Sequence, residues 1–476
     1  MSKITKYSFS QLYDMASGIS STKEQAGHGS PFASFSTVFN NYFLPDTLPD
    51  LMDTSVEEQN IYSIRAGDIL ITRTSETIDE LAMSCVATKD YPGATYSGFV
   101  KRLRPKTKGI AYHKYLAFYL RGNLFRKAVT NNAFMTLRAS FNEDIFSFLN
   151  LYLPEYEEQV RIGDMLYAIE QKIHVNTQIC DELETVAKTI YDYWFTQFDF
   201  PNAEGKPYRT SGGEMVWNEQ LKRKIPKGWK HIEYSELVDI ENSSINPSSF
   251  GETLMEHYSI PAFDEDCMPA FDIAATIQSG KYKVLKESFL VSKLNPQFKR
   301  IWNPYCLTDN AICSTEFMVY KPKNITLRPI CYAIANSDGF YNHMVSKAIS
   351  STGSRKRIQP DVSIQYSLAF PLDRFIVDRF CSHYSPIMEI IKKARLENYE
   401  LKKLRDWLLP MLMNGQATVV DAEEEESGKV ISYMPQTVEV RQAARNFGDK
   451  ETDDTADLVQ AYLRRKQHDS KTQKRN

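Results

Sequence analysis

The feature that most constrains this chain is a long amphipathic segment between residues 155 and 198. Its apolar residues recur at alternating steps of four and three. This is the heptad spacing that keeps one stripe of a helix against a partner helix. About 40 residues at 1.5 Å of rise per residue would form a rod of roughly 60 Å. The seam positions predicted in this segment are Ile162, Leu166, Ile169, Ile173, Asn176, Leu183 and Ile190.

A second segment of the same kind, residues 372–416, offers a partner helix within the chain. Its spacing is looser, because Arg405 falls where an apolar residue would continue the seam. Each seam carries one Asn, and a polar residue at such a position sets the register of pairing. The alternative is two amphipathic helices buried separately in two domains. The predicted seam positions are Tyr384, Ile387, Ile391, Asn398, Leu401 and Leu408.

The sequence also repeats itself at a fixed offset. Four residues before the first long segment recur 217 positions later, before the second. The pairs are Arg138 and Arg355, Asp144 and Asp361, Leu151 and Leu368, and Pro154 and Pro371. With a long helix after each set, the repeat predicts two copies of one module, a globular unit followed by a rod. Two copies imply approximate twofold symmetry within one polypeptide.

These patterns predict an α+β protein with two mixed α/β domains and two long helices. Each globular unit shows strand patterns first, such as the apolar strand Ile69–Thr72, and a helix late. Residues after Gly415 become mostly polar and charged, which favours a loosely ordered tail. The predicted divisions are 1–154, first domain; 155–198, first long helix; 199–230, connector; 231–371, second domain; 372–416, second long helix; and 417–476, tail.

Composition bounds the class of protein. The length of 476 residues suits two or three domains. No apolar run reaches the length of a membrane span, and the N-terminus lacks the pattern of a secretory signal, so we expect no membrane span. Seven scattered cysteines without a CxxC pair indicate reduced thiols and a cytoplasmic protein. The formal net charge is −3, so any nucleic-acid binding must come from local basic surfaces.

Catalytic signatures are missing from the sequence. We find no GxxxxGK(S/T) phosphate-binding loop and no HExxH zinc motif, and the eight histidines are dispersed. Residues Trp302–Tyr305, WNPY, are similar to an amino-methyltransferase motif. They lack one proline and a preceding glycine-rich cofactor loop, so a turn after a strand is favoured. We therefore expect no catalytic residue and no metal site in this chain.

Local basic clusters are the stronger functional signal. Lys and Arg neutralise phosphates, and Arg, Asn and Gln can pair with base edges through two hydrogen bonds. The alternative for any single residue is a solvated polar loop. The predicted DNA-binding residues of the second domain are Lys293, Asn295, Gln297, Lys299, Arg300, Arg355, Lys356 and Arg357. Those of the first domain are Arg73, Thr74, Ser75, Lys101, Arg102, Arg104 and Arg138.

Several segments carry a resemblance to a known family. LPEYEEQVRIGDMLYAIEQKIHVN and LENYELKKLRDWLLPMLMNGQATV resemble the conserved regions of specificity (S) subunits of type I restriction-modification enzymes. The most specific parts are Leu404–Pro410 and Asn414–Gln416. SKLNPQFKRIW and AICSTEFMVYKP resemble one class of that family's target-recognition domains. The resemblance covers roughly residues 5–420.

The resemblance implies a non-catalytic DNA-specificity subunit. Each target-recognition domain would read half of a bipartite DNA sequence, and an antiparallel coiled coil would set the half-site spacing. Two modification subunits, which carry S-adenosylmethionine and methylate adenine, would dock on the conserved regions. Restriction subunits would add ATP- and Mg-dependent translocation and cleavage. The first domain has no obvious counterpart of SKLNPQFKRIW, so its DNA contacts are less well defined.

Two other functions compete with this interpretation. A coiled-coil scaffold or adaptor would bind proteins and have no DNA specificity. A self-sufficient methyltransferase or nuclease is disfavoured, because its motifs are missing. Site-selective DNA binding separates the specificity subunit from the scaffold.

Overall fold

The structure is a computed structural model that describes residues 4–77, 80–132, 139–352 and 355–419. The chain divides into two compact units. Unit 1 comprises residues 1–173 and 400–434, and unit 2 comprises residues 174–399 and 435–476. The tail beyond residue 419 lies outside the described residues, as does the predicted contact Arg138. None of the described helices is long and apolar enough to cross a membrane.

Unit 1 is built from short strands followed by helices. The strands are β1 (Thr5–Ser8), β2 (Tyr13–Ser17), β3 (Ala26–Ala33), β4 (Asp50–Met52), β5 (Ile69–Thr72), β6 (Thr74–Ser75), β7 (Ser84–Val86), β8 (Thr95–Tyr96), β9 (Val100–Pro105), β10 (Ala139–Ser140) and β11 (Asn150–Leu153). The short helices are α1 (Phe9–Leu12), α2 (Phe35–Asn40), α3 (Val56–Ile61), α4 (His113–Tyr119), α5 (Asn123–Asn132) and α6 (Glu143–Phe148), with a 3-10 turn at Lys23–Gln25. The chain then enters the first long helix, α7 (Tyr156–Tyr191).

Unit 2 repeats this order of elements. Its strands are β12 (Met215–Asn218), β13 (Arg223–Pro226), β14 (Trp229–Glu233), β15 (Val238–Ile240), β16 (Ser244–Ile245), β17 (Leu254–Tyr258), β18 (Ala270–Ile273), β19 (Lys281–Lys283), β20 (Phe289–Ser292), β21 (Ile301–Trp302), β22 (Ala311–Ser314), β23 (Phe317–Pro322), β24 (Ile349–Thr352), β25 (Arg355–Arg357) and β26 (Ser367–Pro371). The short helices are α8 (Ile260–Asp266), α9 (Arg328–Ala335), α10 (Asp338–Lys347) and α11 (Pro360–Ser363), with 3-10 turns at Tyr234–Glu236, Pro247–Phe250, Ala274–Thr276 and Ile325–Leu327. The second long helix, α12 (Arg374–Met413), follows.

Several of these helices begin where a side chain satisfies the free backbone N–H groups of the first turn. Ser34, Ser55, Asn142, Ser259 and Ser337 each accept a hydrogen bond from the N–H group three residues later. Such caps contribute about 1 kcal/mol each to helix stability. The helix starts are therefore set locally by residue type.

The internal repeat is visible in the strand register of the two units. In unit 1, β1 pairs antiparallel with β11, and Thr5 lies opposite Leu153. In unit 2, β14 pairs antiparallel with β26, and Lys230 lies opposite Phe370. Leu153 and Phe370 are separated by the repeat offset found in the sequence (153 to 370). The two strand pairs are therefore the same element of one repeated module.

The larger sheets agree as well. The four-stranded sheet of unit 1 has the order β2-β9-β5-β7, and that of unit 2 has the order β15-β23-β20-β21. In a second sheet of each unit, one strand pairs antiparallel on one side and parallel on the other: β3 in unit 1 and β17 in unit 2. Ile69–Thr72 and Phe289–Ser292 are buried throughout, as central strands covered on both faces. The predicted α+β fold with an internal repeat is confirmed.

The connector predicted at residues 199–230 contains regular structure. Met215–Asn218 and Arg223–Pro226 form an antiparallel strand pair, β12 and β13, in which Met215 lies opposite Pro226. Trp229, which follows it, packs in the unit 2 core against the rings of Phe195, Phe198 and Phe200.

The two long helices contribute to both units. After Tyr191, α7 continues as a π-helical turn over Asp192–Thr196. Beyond its end, each helix reaches a residue in the left-handed region, Phe198 at φ 65° and Gly415 at φ 66°. These two residues are again separated by the repeat offset (198 to 415). The two helices therefore end in the same way.

Within unit 2, α7 and α12 run antiparallel. The Nδ2 group of Asn176 donates to Asn398 Oδ1 at 3.0 Å and to Glu397 Oε2 at 2.8 Å. One turn further along α7, Cys180 lies against the carbonyl of Ile391, which is earlier in α12. Asn176 is only 3% exposed, so these bonds satisfy an amide that would otherwise be buried without partners. The polar seam positions expected to set the register are in contact.

Within unit 1, Arg405, the charged residue that interrupts the second seam, forms an ion pair with the first long helix. Arg405 donates from Nη1 to Glu170 Oε1 at 2.6 Å, and its guanidinium lies 5.2 Å from the centre of the Tyr42 ring. Arg405 and Glu170 side chains are 13% and 17% exposed. Leu412 is buried with Ile162 and Leu166 in the unit 1 core. Arg405 thus replaces an apolar contact by a largely buried ion pair.

The remaining seam positions differ in burial. Those buried in the structure are Ile162, Leu166, Ile173, Asn176, Leu183, Tyr384 and Ile387, whereas Ile169, Ile190, Ile391, Asn398, Leu401 and Leu408 are partly buried. All of the predicted seam positions therefore lie on the inward side of their helices.

We predict that Asn176 and Asn398 are energetically coupled, so that their contributions to the free energy of unfolding are not additive. Asn176→Ala and Asn398→Ala should each lower the free energy of unfolding by about 1–2 kcal/mol, because a buried amide is left without its partner. The double variant should be destabilised by less than the sum, with a difference of at least about 0.5 kcal/mol. Urea-induced unfolding measures all three. Gln178→Ala, which removes an exposed amide from the same helix, is the control, and strict additivity would contradict the coupling.

Candidate nucleic-acid interface

Two basic segments of unit 2 that are far apart in sequence meet in the structure. The N–H of Asn295 donates to the carbonyl of Lys356 at 2.7 Å, and the N–H of Lys356 donates to Asn295 Oδ1 at 2.9 Å. Leu294 and Arg357 form an isolated antiparallel bridge. Asn295 has a φ of 47°, which Asn tolerates better than most residues. The predicted contacts near residues 293–300 and 355–357 therefore belong to one surface.

An exposed hairpin forms part of this surface. Ile349–Thr352 pairs antiparallel with Arg355–Arg357 in β24 and β25. The side chains of Arg355 and Lys356 are exposed, and so is Gln297 in the neighbouring loop. A two-stranded ribbon of this size can enter the major groove of B-DNA. The hairpin presents two cations from one short strand.

The other cations of this surface are bound within unit 2. Arg300 forms two hydrogen bonds with Asp264, at 2.6 and 2.7 Å, and its side chain is 12% exposed. Lys299 donates to the carbonyl of Asn336. Arg357 forms two hydrogen bonds with Glu316, at 3.1 and 2.7 Å, and this contact holds the pKa of the Glu316 carboxyl below its ordinary value. Arg300 and Lys299 therefore bind groups of unit 2 itself, and their assignment as DNA contacts stays a prediction.

Two predicted contacts of unit 1 also serve the fold. Arg102 is 9% exposed and donates to the carbonyl of Ser63 at 2.6 Å. Burial lowers the pKa of its guanidinium. Arg104 forms two hydrogen bonds with the buried carboxylate of Asp68, at 2.8 and 2.6 Å. Both side chains lie on the same face of β9 and bind groups within unit 1, and their assignment as DNA contacts stays a prediction.

The rest of the unit 1 candidates lie around the end of β5. Arg73 is exposed, Thr74 is partly exposed and Ser75 is buried. Lys101 donates to Ser17 Oγ at 2.8 Å. Burial, with a smaller contribution from the nearby charge of Arg73, lowers the pKa of Lys101. Arg73 and Lys101 therefore form a small basic surface.

Arg73 and Lys293 occupy the same position in the two units. The N–H of Arg73 donates to the carbonyl of Phe99 at 2.8 Å, and its own carbonyl accepts from Phe141 at 2.7 Å. The N–H of Lys293 donates to the carbonyl of Glu316 at 2.9 Å, and its carbonyl accepts from Ile358 at 3.1 Å. Unit 1 therefore has a counterpart of the Lys293 loop.

Sequence reasoning missed this counterpart because its offset differs. Phe141 and Ile358 are separated by the repeat offset (141 to 358), but Arg73 and Lys293 are slightly further apart (73 to 293). The available signal was a buried strand followed by a cation, ILIT before Arg73 and FLVS before Lys293. We define the reading junction of each unit as this cation and the two segments hydrogen-bonded to it.

The methyltransferase-like WNPY segment begins in β21, at Trp302, and continues as irregular chain. Trp302 and Tyr305 are 1% and 5% exposed, and Asn303 accepts a hydrogen bond from Arg328. Among the described residues, no group of three or more His, Cys, Asp or Glu side chains could hold a metal ion. The Asn303 side chain therefore has a hydrogen-bond partner within unit 2.

Comparisons with known proteins show which family the chain resembles. The family described as "Type I restriction modification DNA specificity domain" matches residues 8–185. The chain is 21% identical over 393 residues to the type I restriction enzyme MjaIX specificity subunit of Methanocaldococcus jannaschii, covering 78% of this chain and 82% of that protein. It is 39% identical over 56 residues to the HindI specificity subunit of Haemophilus influenzae, 12% of each chain.

One solved structure supports the fold. The S subunit of a type I restriction-modification system from M. genitalium superimposes with a TM-score of 0.57 at 12% identity, covering 86% of this chain and 96% of that chain. At this identity the likeness concerns the fold alone. Residues 8–185 thus match the type I restriction-modification DNA specificity domain, and the resemblance of the chain to specificity subunits is confirmed.

Proposed function

We propose that this chain selects a bipartite DNA sequence, with unit 1 and unit 2 each reading one half. The observation that carries the proposal is the equivalence of the two reading junctions, with Arg73 and Lys293 at the same hydrogen-bonded position. A duplicated surface of this kind suits two separate half-sites better than one continuous sequence. The match of residues 8–185 to a DNA specificity domain supports DNA as the ligand. A protein-binding scaffold would have no use for a repeated basic junction.

The chemistry belongs to partner subunits in this proposal. Two modification subunits with S-adenosylmethionine methylate adenine, and restriction subunits use ATP and Mg²⁺ for translocation and cleavage. This chain is a non-catalytic subunit that positions them on double-stranded DNA. Cellular DNA and these partner subunits are found in the cytoplasm, so we place the complex in that compartment.

The long helices have two roles in the proposal. Their antiparallel pairing sets the half-site spacing, because the length of a helix pair is fixed at about 1.5 Å per residue. Their outer faces dock the modification subunits. Leu404 and Trp407 support the second role, since they lie three residues apart on one side of α12 and are 44% and 45% exposed.

Methylation mapping tests the function as a whole. The chain is co-expressed with its modification subunits in a host without adenine methylation, and the genome is then sequenced for methyladenine. A single bipartite motif is expected. A stable complex that leaves no motif would contradict the proposal and favour the scaffold.

The exposed hairpin should contribute phosphate contacts. We expect Arg355→Ala and Lys356→Ala to weaken binding of DNA containing the mapped site and to reduce the salt slope of log K by about 0.9 for each phosphate that is no longer neutralised. Lys224→Ala removes an exposed lysine from the β12–β13 pair and should leave the slope unchanged. An unchanged slope in all three variants would remove the hairpin from the interface. Titrations at several salt concentrations provide the measurement.

The helix pair should act as a ruler. Seven residues inserted after Ile173 in α7, together with seven after Tyr399 in α12, preserve the heptad and add about 10 Å. The mapped motif should keep both halves and gain a spacer of about three base pairs, at roughly 3.4 Å per pair. The same insertion at Gly205, in a turn of the connector, is the control. A spacer of the original length would disprove the ruler.

The docking face should be sensitive to polarity. Leu404→Ser with Trp407→Ser should reduce co-purification of the modification subunits at least tenfold, about 1.4 kcal/mol, because central aromatic contacts dominate interfaces. Ile61→Ser removes a comparably exposed apolar side chain, 57% exposed, from α3 and should have no effect. Pull-down of tagged modification subunits measures the change. Equal recovery with all variants would place the partner elsewhere.

A further inference from the structure

One turn has the same backbone in both units but opposite side-chain chemistry. In unit 1, Ser97 Oγ accepts the N–H of Phe99 at 3.2 Å. In unit 2, Ser314 Oγ accepts the N–H of Glu316 at 3.3 Å. Ser97 and Ser314 are separated by the repeat offset (97 to 314). The carbonyls of Phe99 and Glu316 are the acceptors for Arg73 and Lys293, so both turns belong to the reading junctions.

The two turns present different groups to solvent. In unit 2, Glu316 holds the guanidinium of Arg357 with two hydrogen bonds. The unit 1 residue equivalent to Arg357 is Ser140, at the same repeat offset (140 to 357). Unit 1 therefore lacks the ion pair and presents the ring of Phe99, which is 61% exposed.

The backbone of the turn that carries Phe99 is closely packed. The N–H of Gly98 donates to the carbonyl of Ile19 at 2.7 Å, and a Cβ atom at Gly98 would lie 2.9 Å from that oxygen. Only glycine allows this approach without a shift. The next residue, Val100, is fully buried. The turn thus presents an exposed aromatic ring on a residue whose carbonyl is hydrogen-bonded to the N–H of the exposed cation Arg73.

We infer that Phe99 reads a thymine in the half-site of unit 1 through an apolar contact with its C5-methyl group. The inference rests on the proposed function, since it assumes that the reading junction faces DNA. Thymine is the base that presents a methyl group in the major groove, and Phe is one of the residues that contact it. Arg73, which is hydrogen-bonded to the Phe99 carbonyl, supplies the positive charge for contact with the phosphate backbone of DNA.

Phe99 could contact the edge of a base or insert between two bases. The equivalent turn of unit 2 distinguishes these two modes. Glu316 and Arg357 occupy the equivalent place and could not be inserted into a stack of bases. Two copies of one module that approach DNA in the same way use this position for an edge contact. Phe99 therefore acts at the edge of a base, where its partner is a methyl group.

Replacing thymine by deoxyuracil tests the contact, because it removes only the methyl group. Binding is measured for DNA carrying the mapped site, with each thymine of the unit 1 half-site replaced in turn. The affinity of the wild-type complex should fall about fourfold at one position, the effect of burying one methyl group. Phe99→Ala should bind thymine and deoxyuracil DNA equally at that position. Phe99→Leu, which keeps an apolar side chain, should retain part of the difference.

Two further variants make the result specific. Phe148→Ala removes another exposed phenylalanine of unit 1, 70% exposed, and should keep the fourfold difference. Phe99→Glu with Ser140→Arg rebuilds the unit 2 ion pair in unit 1. It should abolish the difference and change the preferred base at that one position, with the unit 2 half-site unchanged.

The inference is overturned if the wild type is indifferent to deoxyuracil at every position, if the half-site contains no thymine, or if Phe99→Ala keeps the fourfold difference. Weaker binding of Phe99→Ala without any effect of deoxyuracil also overturns it, because it would indicate insertion. A wild-type complex that selects no DNA site at all refutes the proposed function instead, and methylation mapping reveals that outcome first.

Discussion

The pairing of α7 with α12 is the interaction on which the rest of the structure depends. Both helices contribute to both units, so neither unit has a complete core without them. In unit 1 the pairing is fixed by Arg405 with Glu170, and in unit 2 by Asn176 with Asn398. Apolar seams alone tolerate sliding by one heptad, whereas these polar contacts are satisfied in one register. The helix pair is thus both a core element and a defined length.

In the proposed function, the duplicated module would let one fold recognise two different sequences. The strand orders, the turn at Ser97 or Ser314 and the cation at Arg73 or Lys293 are common to both units. What differs is a small number of side chains carried on that common backbone. Such a division lets the frame stay constant while the recognised base changes, since backbone hydrogen bonds and base contacts are made by different groups.

Much of the fold could be predicted from the sequence, because helices and repeats leave periodic signals. The heptads predicted both long helices to within a few residues, and the fixed offset predicted the repeat. The partners of individual basic side chains could not be predicted in the same way. Arg102, Arg104 and Arg300 are basic residues in loops or strands, but their partners, Ser63, Asp68 and Asp264, are distant in sequence. A guanidinium that binds a carboxylate and one that faces solvent look identical until the chain folds. Phe99 carries no charge, so a search for basic clusters passes over it.

The division of the chain also orders its folding. Every described residue of unit 2 lies within the continuous segment 174–399, whereas unit 1 includes residues 400–419 from the far end of the chain. Leu412, 4% exposed, belongs to the core that also contains Phe9 and Leu12. During synthesis, the N-terminal part of unit 1 therefore has an incomplete core until almost the whole described chain has left the ribosome, and unit 2 can fold first. A chain that ended soon after residue 173 would lack the α12 part of the unit 1 core, although every one of residues 1–173 had been made.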